Sequence, residues 1–258
     1  MLQQTQVRRV LEKYPEFLKT FPSFRALANA GQREVVVSWK GMGYNNRAVR
    51  LHRLAQIVVS RHRGRLPNEP SALRSLPGIG PYTADAIRAA AFGESVPAVD
   101  VNVRRVLSRI FWAMRSTAGL RSNAEIEHLA TTVLPKSNAL NQALMDLGST
   151  VCTSRRASCE ACPVSTLCRS ARVMKTEEKP MRIEQTMNGI PRRIHRGKIV
   201  DELRRQRKYI TSAELGRRLF HRHAQREQKW MHTLLHGLER DGLIRLIPSR
   251  KGHRVMLA

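Results

Sequence analysis

Through most of the first 150 positions, apolar residues recur at the three- and four-residue steps of a helix, and no stretch alternates with the period of two expected of a half-buried strand. The segment NNRAVRLHRLAQIVVSRHRG predicts a helix with Asn45 as its cap, Leu51, Leu54, Ala55 and Val58 on its inner face, and Gly64 at its end. SNAEIEHLATTVL predicts another from Ser122, with Glu125 placed three residues on to close a capping box. NALNQALMDLGS follows the same logic. MLQQTQVRRVLEKY reads as helix from its second residue, with Leu2, Val7, Val10, Leu11 and Tyr14 on one buried face, yet no Ser, Thr, Asp or Asn caps its first turn. The expectation for residues 1–150 is an all-α domain of short helices.

Beyond it the pattern changes. All four cysteines fall in a loop at 151–170, and EEKPMRIEQTMNG has the composition of a linker, placed at 171–189. Residues 190–258 then show three helical patterns, RRIHRGKIVDELRRQ, TSAELGRRLF and REQKWMHTLLHGLERDG. Two short β-type runs, LIRLIP and HRVMLA, follow around a polar SRKG turn. Three helices and a hairpin predict a small winged-helix-like (α+β) domain.

Charge sharpens this picture. Forty-six Lys plus Arg against twenty Asp plus Glu give a net +26, of which residues 173–258 carry +12 and residues 1–172 carry +14. Both halves therefore suit a polyanion, and nucleic acid is the leading one. No run of eighteen apolar residues exists, and MLQQTQVRR lacks the apolar core of a signal peptide, so the expectation is a cytoplasmic protein, nucleoid-associated in a prokaryote, with no membrane partner. HRHAQREQKWMH clusters His221, His223 and His232, which read as solvated, DNA-facing side chains ahead of a metal site. Trp39 and Trp112 read as core residues rather than base-stacking platforms.

Cys152, Cys159, Cys162 and Cys168 are spaced C-x6-C-x2-C-x5-C. Four thiolates within seventeen residues repel one another unless a cation holds them. Structural zinc usually takes two close pairs, and here only Cys159 and Cys162 form one. The long arms favour the larger [4Fe–4S] cluster, with zinc the remaining alternative.

SLPGIGPYTADAIRAAAFG places Gly78 and Gly80 in a tight turn between two helical patterns, where backbone N–H groups can approach a phosphate. An ordinary helix–turn–helix corner has the same appearance. In VPAVDVNVRRVLSRI, Asp100 precedes a helix beginning near Val101. Its plain role is an N-cap. The helix N-terminus also favours an ionised carboxylate, which can stabilise a developing sugar cation.

Taken in order, MLQQTQV, WKGMGYNNRA, LPGIGPYTADAI, VDVNVRRVL and MDLG with the cysteine series resemble the helix-hairpin-helix DNA glycosylases of the endonuclease III superfamily. MLQQTQV and the GxGYxxRA segment most resemble the MutY-type adenine glycosylases, which remove adenine mispaired with guanine or oxidised guanine. The resemblance implies a [4Fe–4S] cluster on the four cysteines, a phosphate anchor at Gly78 and Gly80, and Asp100 as the catalytic carboxylate ordered by Asn102. It also implies DNA contact by Gln3, Gln4, Thr5 and Arg47. Tyr82 stands where bifunctional relatives carry the lysine that attacks the sugar, which implies a monofunctional enzyme leaving an abasic site. The implied partner is double-stranded DNA with a mismatched or damaged base, bound by a monomer.

Relatives of that type place a general-acid Glu two residues before the Met of MLQQ, and purine release needs ring protonation. The expectation drawn from this is that Met1 is not the natural start and that the 258-residue form lacks the proton donor. Such relatives also commonly end in a Nudix-like domain, where this chain has the winged-helix pattern. Two other readings stay open: a mismatch thymine or uracil glycosylase, and a non-catalytic DNA-binding protein derived from a glycosylase.

Overall fold

Helices carry the chain from its N-terminus to the cysteine loop: α1 (Val7–Thr20), α2 (Phe24–Asn29), α3 (Gln32–Ser38), α4 (Asn46–Arg61), α5 (Pro70–Arg74), α6 (Pro81–Ala91), α7 (Val101–Phe111), α8 (Asn123–Val133) and α9 (Asn138–Thr150). After the loop come β1 (Thr186–Met187), β2 (Ile190–Pro191), α10 (Arg192–Arg205), β3 (Ile210–Thr211), α11 (Ser212–Leu219), α12 (Gln225–Arg240), β4 (Ile244–Ser249) and β5 (Gly252–Leu257). This computed structural model describes residues 1–114, 121–133, 138–171, 173, 184–220, 225–250 and 252–258. Most of the linker segment at 171–189, together with His221 and His223, lies outside the described residues.

The chain divides into two compact units. One comprises Met1–Leu66, Leu76–Gly78 and Ile183–Ala258; the other comprises Pro67–Ser75 and Ile79–Arg182. In the first, one hydrophobic cluster runs from Val10, Phe17 and Phe21 through Val35, Val36 and Trp39 to Ile199, Leu203, Leu234, Leu238 and Val255. The N-terminal helices and the C-terminal elements thus share a core. Polar contacts reinforce it. Arg204 donates to Val36 O at 2.9 Å and to Asn45 Oδ1 at 2.8 Å, Arg33 donates to Gln206 O at 2.7 Å, and Gln32 Nε2 donates to Gly242 O at 2.7 Å. Gly242 adopts φ +71°, a left-handed conformation that strains any other residue, with an Arg53 guanidinium nitrogen 2.8 Å from where a Cβ would stand.

The C-terminal strands pair antiparallel in the order β3-β5-β4, with Ile210 and Leu246 both opposite Val255. β1 and β2 form a separate two-stranded ribbon. The helices and hairpin expected for residues 190–258 are present, together with the short β3.

In the second unit, α7 packs on α8 and α9 around Val103, Val106, Leu107, Ile126, Ala130 and Leu144. The capping box forms as expected: Ser122 N donates to Glu125 Oε2 at 2.9 Å, and Glu125 N donates back to Ser122 Oγ at 3.3 Å. No described helix is long and apolar enough to cross a membrane.

Two expectations are corrected. Helix α1 begins at Val7 rather than at Leu2, with Gln6 at its N-cap making no side-chain capping bond. Its buried face is Val10 and Phe17, while Leu2, Val7, Leu11 and Tyr14 are exposed. The segment carries apolar residues on two helical faces, and the aromatic packing of Phe17 against Phe21 and Trp39 decides which one turns inward. Asn45 occupies the N-cap position of α4 but makes no side-chain capping bond; its Oδ1 serves Arg204 instead.

Candidate active site and cysteine loop

In the first unit, Arg47 organises the N-terminal segment. One terminal nitrogen donates to Met1 O at 2.9 Å and to Gln3 O. The other donates to Thr5 Oγ1 at 2.7 Å, Met42 O at 2.8 Å and Gly43 O at 3.2 Å. The guanidinium lies 5.3 Å from the Trp39 ring centre and 5.9 Å from that of Tyr44, a stacked setting that lysine does not reproduce. Arg47 therefore acts here on protein backbone. Thr5 also donates to Met42 O at 3.0 Å, so the MLQQT turn is sewn to the GMGY loop. Gln3 and Gln4 are exposed at its tip, Gln4 with φ +56° and Gln3 Nε2 donating to Gly78 O at 3.3 Å. Trp39, 2% exposed, is a core residue as expected.

The hairpin glycines have distinct local roles. Gly78 adopts φ +85° and makes the turn after α5. Gly80 is the N-cap of α6 with no side-chain capping bond, and Pro81 occupies the first helical position, where its missing N–H costs nothing. Both glycines are exposed.

In the second unit, Asp100 caps α7. Its Oδ1 accepts from the backbone N–H of Asn102 at 2.8 Å and of Val103 at 2.7 Å, while Oδ2 accepts from Asn102 Nδ2 at 2.8 Å. Three N–H donors and the positive end of the helix hold the carboxylate in one orientation. Tyr82 belongs to the same environment. Its hydroxyl donates to Met145 Sδ at 3.4 Å, and burial, then the charge of Asp100, raise its pKa. The phenol thus stays protonated at neutral pH.

Behind this pair stand residues that the sequence reading did not single out. Asn102 Oδ1 accepts from Arg105 at 2.8 Å, and Arg105 also donates to Gly148 O at 2.5 Å and Cys152 O at 2.8 Å. One turn on, Arg109 donates to Cys152 Sγ at 3.2 Å and Thr153 O at 2.9 Å. Both arginines are buried, at 6% and 2% exposed. Their signal in the sequence is two arginines four residues apart on the apolar face of VNVRRVLSRIF. Gly148 is the other silent contributor. A Cβ there would stand 2.7 Å from Asn102 Cβ and 3.2 Å from Asn102 backbone atoms. Gly148→Ala should push α7 and α9 apart, cost about 1–3 kcal/mol of stability, and disturb the Asn102–Asp100 bond. Thermal unfolding read beside base-excision rate checks this, and unchanged values of both would refute it.

Cys152, Cys159, Cys162 and Cys168 line one pocket together with Arg109 and Ser170. Among the described residues, no three His, Cys, Asp or Glu side chains converge closely enough to hold one metal ion. The cysteines therefore surround a space without closing on a point. Burial and neighbouring thiols push Cys159 up, and burial pushes Cys168 up. Arg109 Nε is buried with no hydrogen-bond partner. A buried guanidinium beside four thiol groups suits sulfur in its anionic, ligand-competent form.

Residues 1–136 match the HhH-GPD superfamily base excision DNA repair family. The chain is 37% identical over 241 residues to an adenine DNA glycosylase of Mycolicibacterium smegmatis, covering 92% of this chain and 80% of that protein. Among solved structures, a thermostable thymine-DNA glycosylase superposes with a TM-score of 0.58 at 30% identity, covering 66% of this chain and 80% of that one. Endonuclease III in a non-covalent DNA complex shares the fold, with a TM-score of 0.59 at 23% identity over 66% of this chain and 79% of that chain. With the hairpin glycines, the capped aspartate and the cysteine cavity all in place, the chain belongs to the HhH-GPD superfamily of base excision DNA repair proteins, as one of its DNA glycosylases.

Proposed function

We propose that the protein hydrolyses the N-glycosidic bond of adenine mispaired with guanine or oxidised guanine in double-stranded DNA, acting as a monomer and leaving an abasic site. The observation that carries this reading is the Asp100 carboxylate clamped by three N–H donors beside Tyr82. Similarity to an adenine DNA glycosylase over most of both chains supports adenine as the base. Gly78 and Gly80 anchor a phosphate through the backbone, and Gln3, Gln4 and Thr5 enter the duplex beside the extruded base. Arg47 supports that contact by holding the backbone of the MLQQT turn.

The chemistry follows from the fixed charge. As the sugar C1′–N9 bond breaks, positive charge develops on the sugar, and the oriented Asp100 carboxylate stabilises it. Adenine leaves after its ring takes up a proton from solvent, and the water whose oxygen bonds to C1′ returns a proton to solvent, so the protons balance. Asn102 keeps the carboxylate oriented. Tyr82 has no amine with which to form a Schiff base, so the reaction stops at the abasic sugar.

The test uses protein expressed from its own genomic locus and duplexes carrying A opposite oxidised G, A opposite G, T opposite G, or U opposite G. Strand breakage of the A-containing duplexes, only after hot alkali, is the expected result. The 30% identity to a thymine-DNA glycosylase favours a second reading, and breakage at T opposite G would select it. Tight binding without breakage would mean a non-catalytic DNA-binding protein.

The four cysteines hold a [4Fe–4S] cluster in this reading, supported by the cavity they line and by the partnerless Arg109 Nε. When bound, the cluster supplies a rigid scaffold for the basic loop. Purified protein should be yellow-brown with about four iron per chain. Cys159→Ser should lower solubility and DNA affinity together. One zinc and no iron after anaerobic purification would contradict the assignment. Residues 190–258 serve as a winged helix, with α12 and the SRKG turn toward DNA, supported by the helix order and the β3-β5-β4 sheet.

A further inference from the structure

Three histidines gather on the C-terminal elements, none of them part of the Asp100 site or the cysteine loop. His232 and His236 lie one turn apart on α12, with their Nε2 atoms 2.9 Å apart and ring centres 4.2 Å apart. His253, on β5, stands with its ring centre 5.5 Å from that of His236 and 6.1 Å from that of His232. The group differs from the cluster apparent in the sequence. Only His232 is common to both, because the hairpin brings His253 to α12 and the helical step brings His236.

The arrangement is that of a chelating pair. Two imidazole nitrogens at about 2.0–2.1 Å from one ion, at angles between square and tetrahedral, lie roughly 2.8–3.4 Å apart, which includes the separation seen here. Histidines at i and i+4 on one helix face are a recurring zinc-binding pattern. His236 also has the outer partner that metal-ligating histidines usually have. Its Nδ1 is 3.5 Å from Glu239 Oε2, and the other oxygen of Glu239 accepts from the backbone N–H of Leu246 at 3.2 Å. The Glu239 carboxylate, bonded through its other oxygen to the β4 backbone, thus stands on the Nδ1 side of His236 and leaves Nε2 as the ring nitrogen on the His232 side. His232 and His253 line an open cavity of about 340 Å³ with Ser212, Gln228 and Met231. Ser212 Oγ accepts from the backbone N–H of His253 at 3.2 Å, which fixes the strand beside it.

We propose that His232 and His236 bind a divalent transition ion of the zinc or nickel class through their Nε2 atoms. Glu239 orients His236, His253 is the imidazole nearest the open positions, and water fills the rest.

The test is calorimetric titration of the full protein, as isolated, with Zn²⁺ and separately with Ni²⁺, alongside H232Q, H236Q and the double variant. Any metal taken up at the cysteine cavity is common to all four proteins and cancels. The parent should bind one further ion, with affinity at least tenfold above either single variant. Zn²⁺ should raise the unfolding temperature of the parent and not that of H232Q, an exposed position whose substitution leaves the fold intact. Equal stoichiometry, affinity and metal-induced stabilisation in the parent and the double variant would overturn the site and leave a proton shared between two imidazoles.

Discussion

Asp100→Asn should yield a protein that folds, binds duplex DNA within a few fold of the parent, and excises base at least about 10²–10³-fold more slowly. The substitution removes the charge and keeps the helix cap. Asn caps helices as well as Asp, so its side-chain oxygen can keep the bonds to the backbone N–H groups of Asn102 and Val103. Volume is unchanged. What disappears is the negative charge that stabilises the sugar cation, together with the Oδ2 acceptor for Asn102 Nδ2. Single-turnover excision and duplex affinity, measured side by side, give the result. Near-native turnover would reduce Asp100 to a helix cap and remove the basis of the mechanism.

Removing residues 184–258 should unfold the first unit. Composition marks a boundary near residue 190, and a module appended there would leave the rest intact when removed. The hydrophobic cluster crosses that boundary, however, with Val35, Val36 and Trp39 in the same core as Ile199, Leu203 and Leu238. Truncation exposes that apolar surface and leaves Val36 O and Asn45 Oδ1 without Arg204. The truncated chain should be recovered mainly insoluble or lack a cooperative thermal transition. Arg204→Ala tests the same junction gently. Leaving buried acceptors unmet costs about 1–3 kcal/mol, or roughly 2–12 °C in unfolding temperature for a chain of this size. A truncated protein that melts cooperatively at the parent's temperature would show that the two segments are energetically independent.

Much of the site was legible because it depends on local chemistry. A glycine at positive φ, a helix cap and a cysteine spacing are each fixed by residues within one or two turns. Gly78, the Ser122–Glu125 box, the Asp100 cap and the run of helices followed by a hairpin could therefore be read from the chain. The relation of Asn102 to Asp100 spans two residues, and it too was accessible.

The rest depended on partners far along the chain. Periodicity shows that α1 has an inner face but not which, because Val7, Leu11 and Tyr14 compete with Val10 and Phe17 on equal terms until Trp39 packs against Phe17. Asn45 has the chemistry of a cap, and Arg204, 159 residues away, takes its oxygen instead. Arg105 and Arg109 resemble surface residues by type, and they are buried because carbonyls and a thiol 43 to 47 residues on meet their guanidinium groups. Gly148 carries no signal until α7 lies against α9. Residue type and short spacing thus determined the local turns, caps and ligand series of this protein. Which face is buried, which arginine is enclosed and which histidines meet were settled only by tertiary packing, because a side chain's burial depends on what approaches it from elsewhere in the chain.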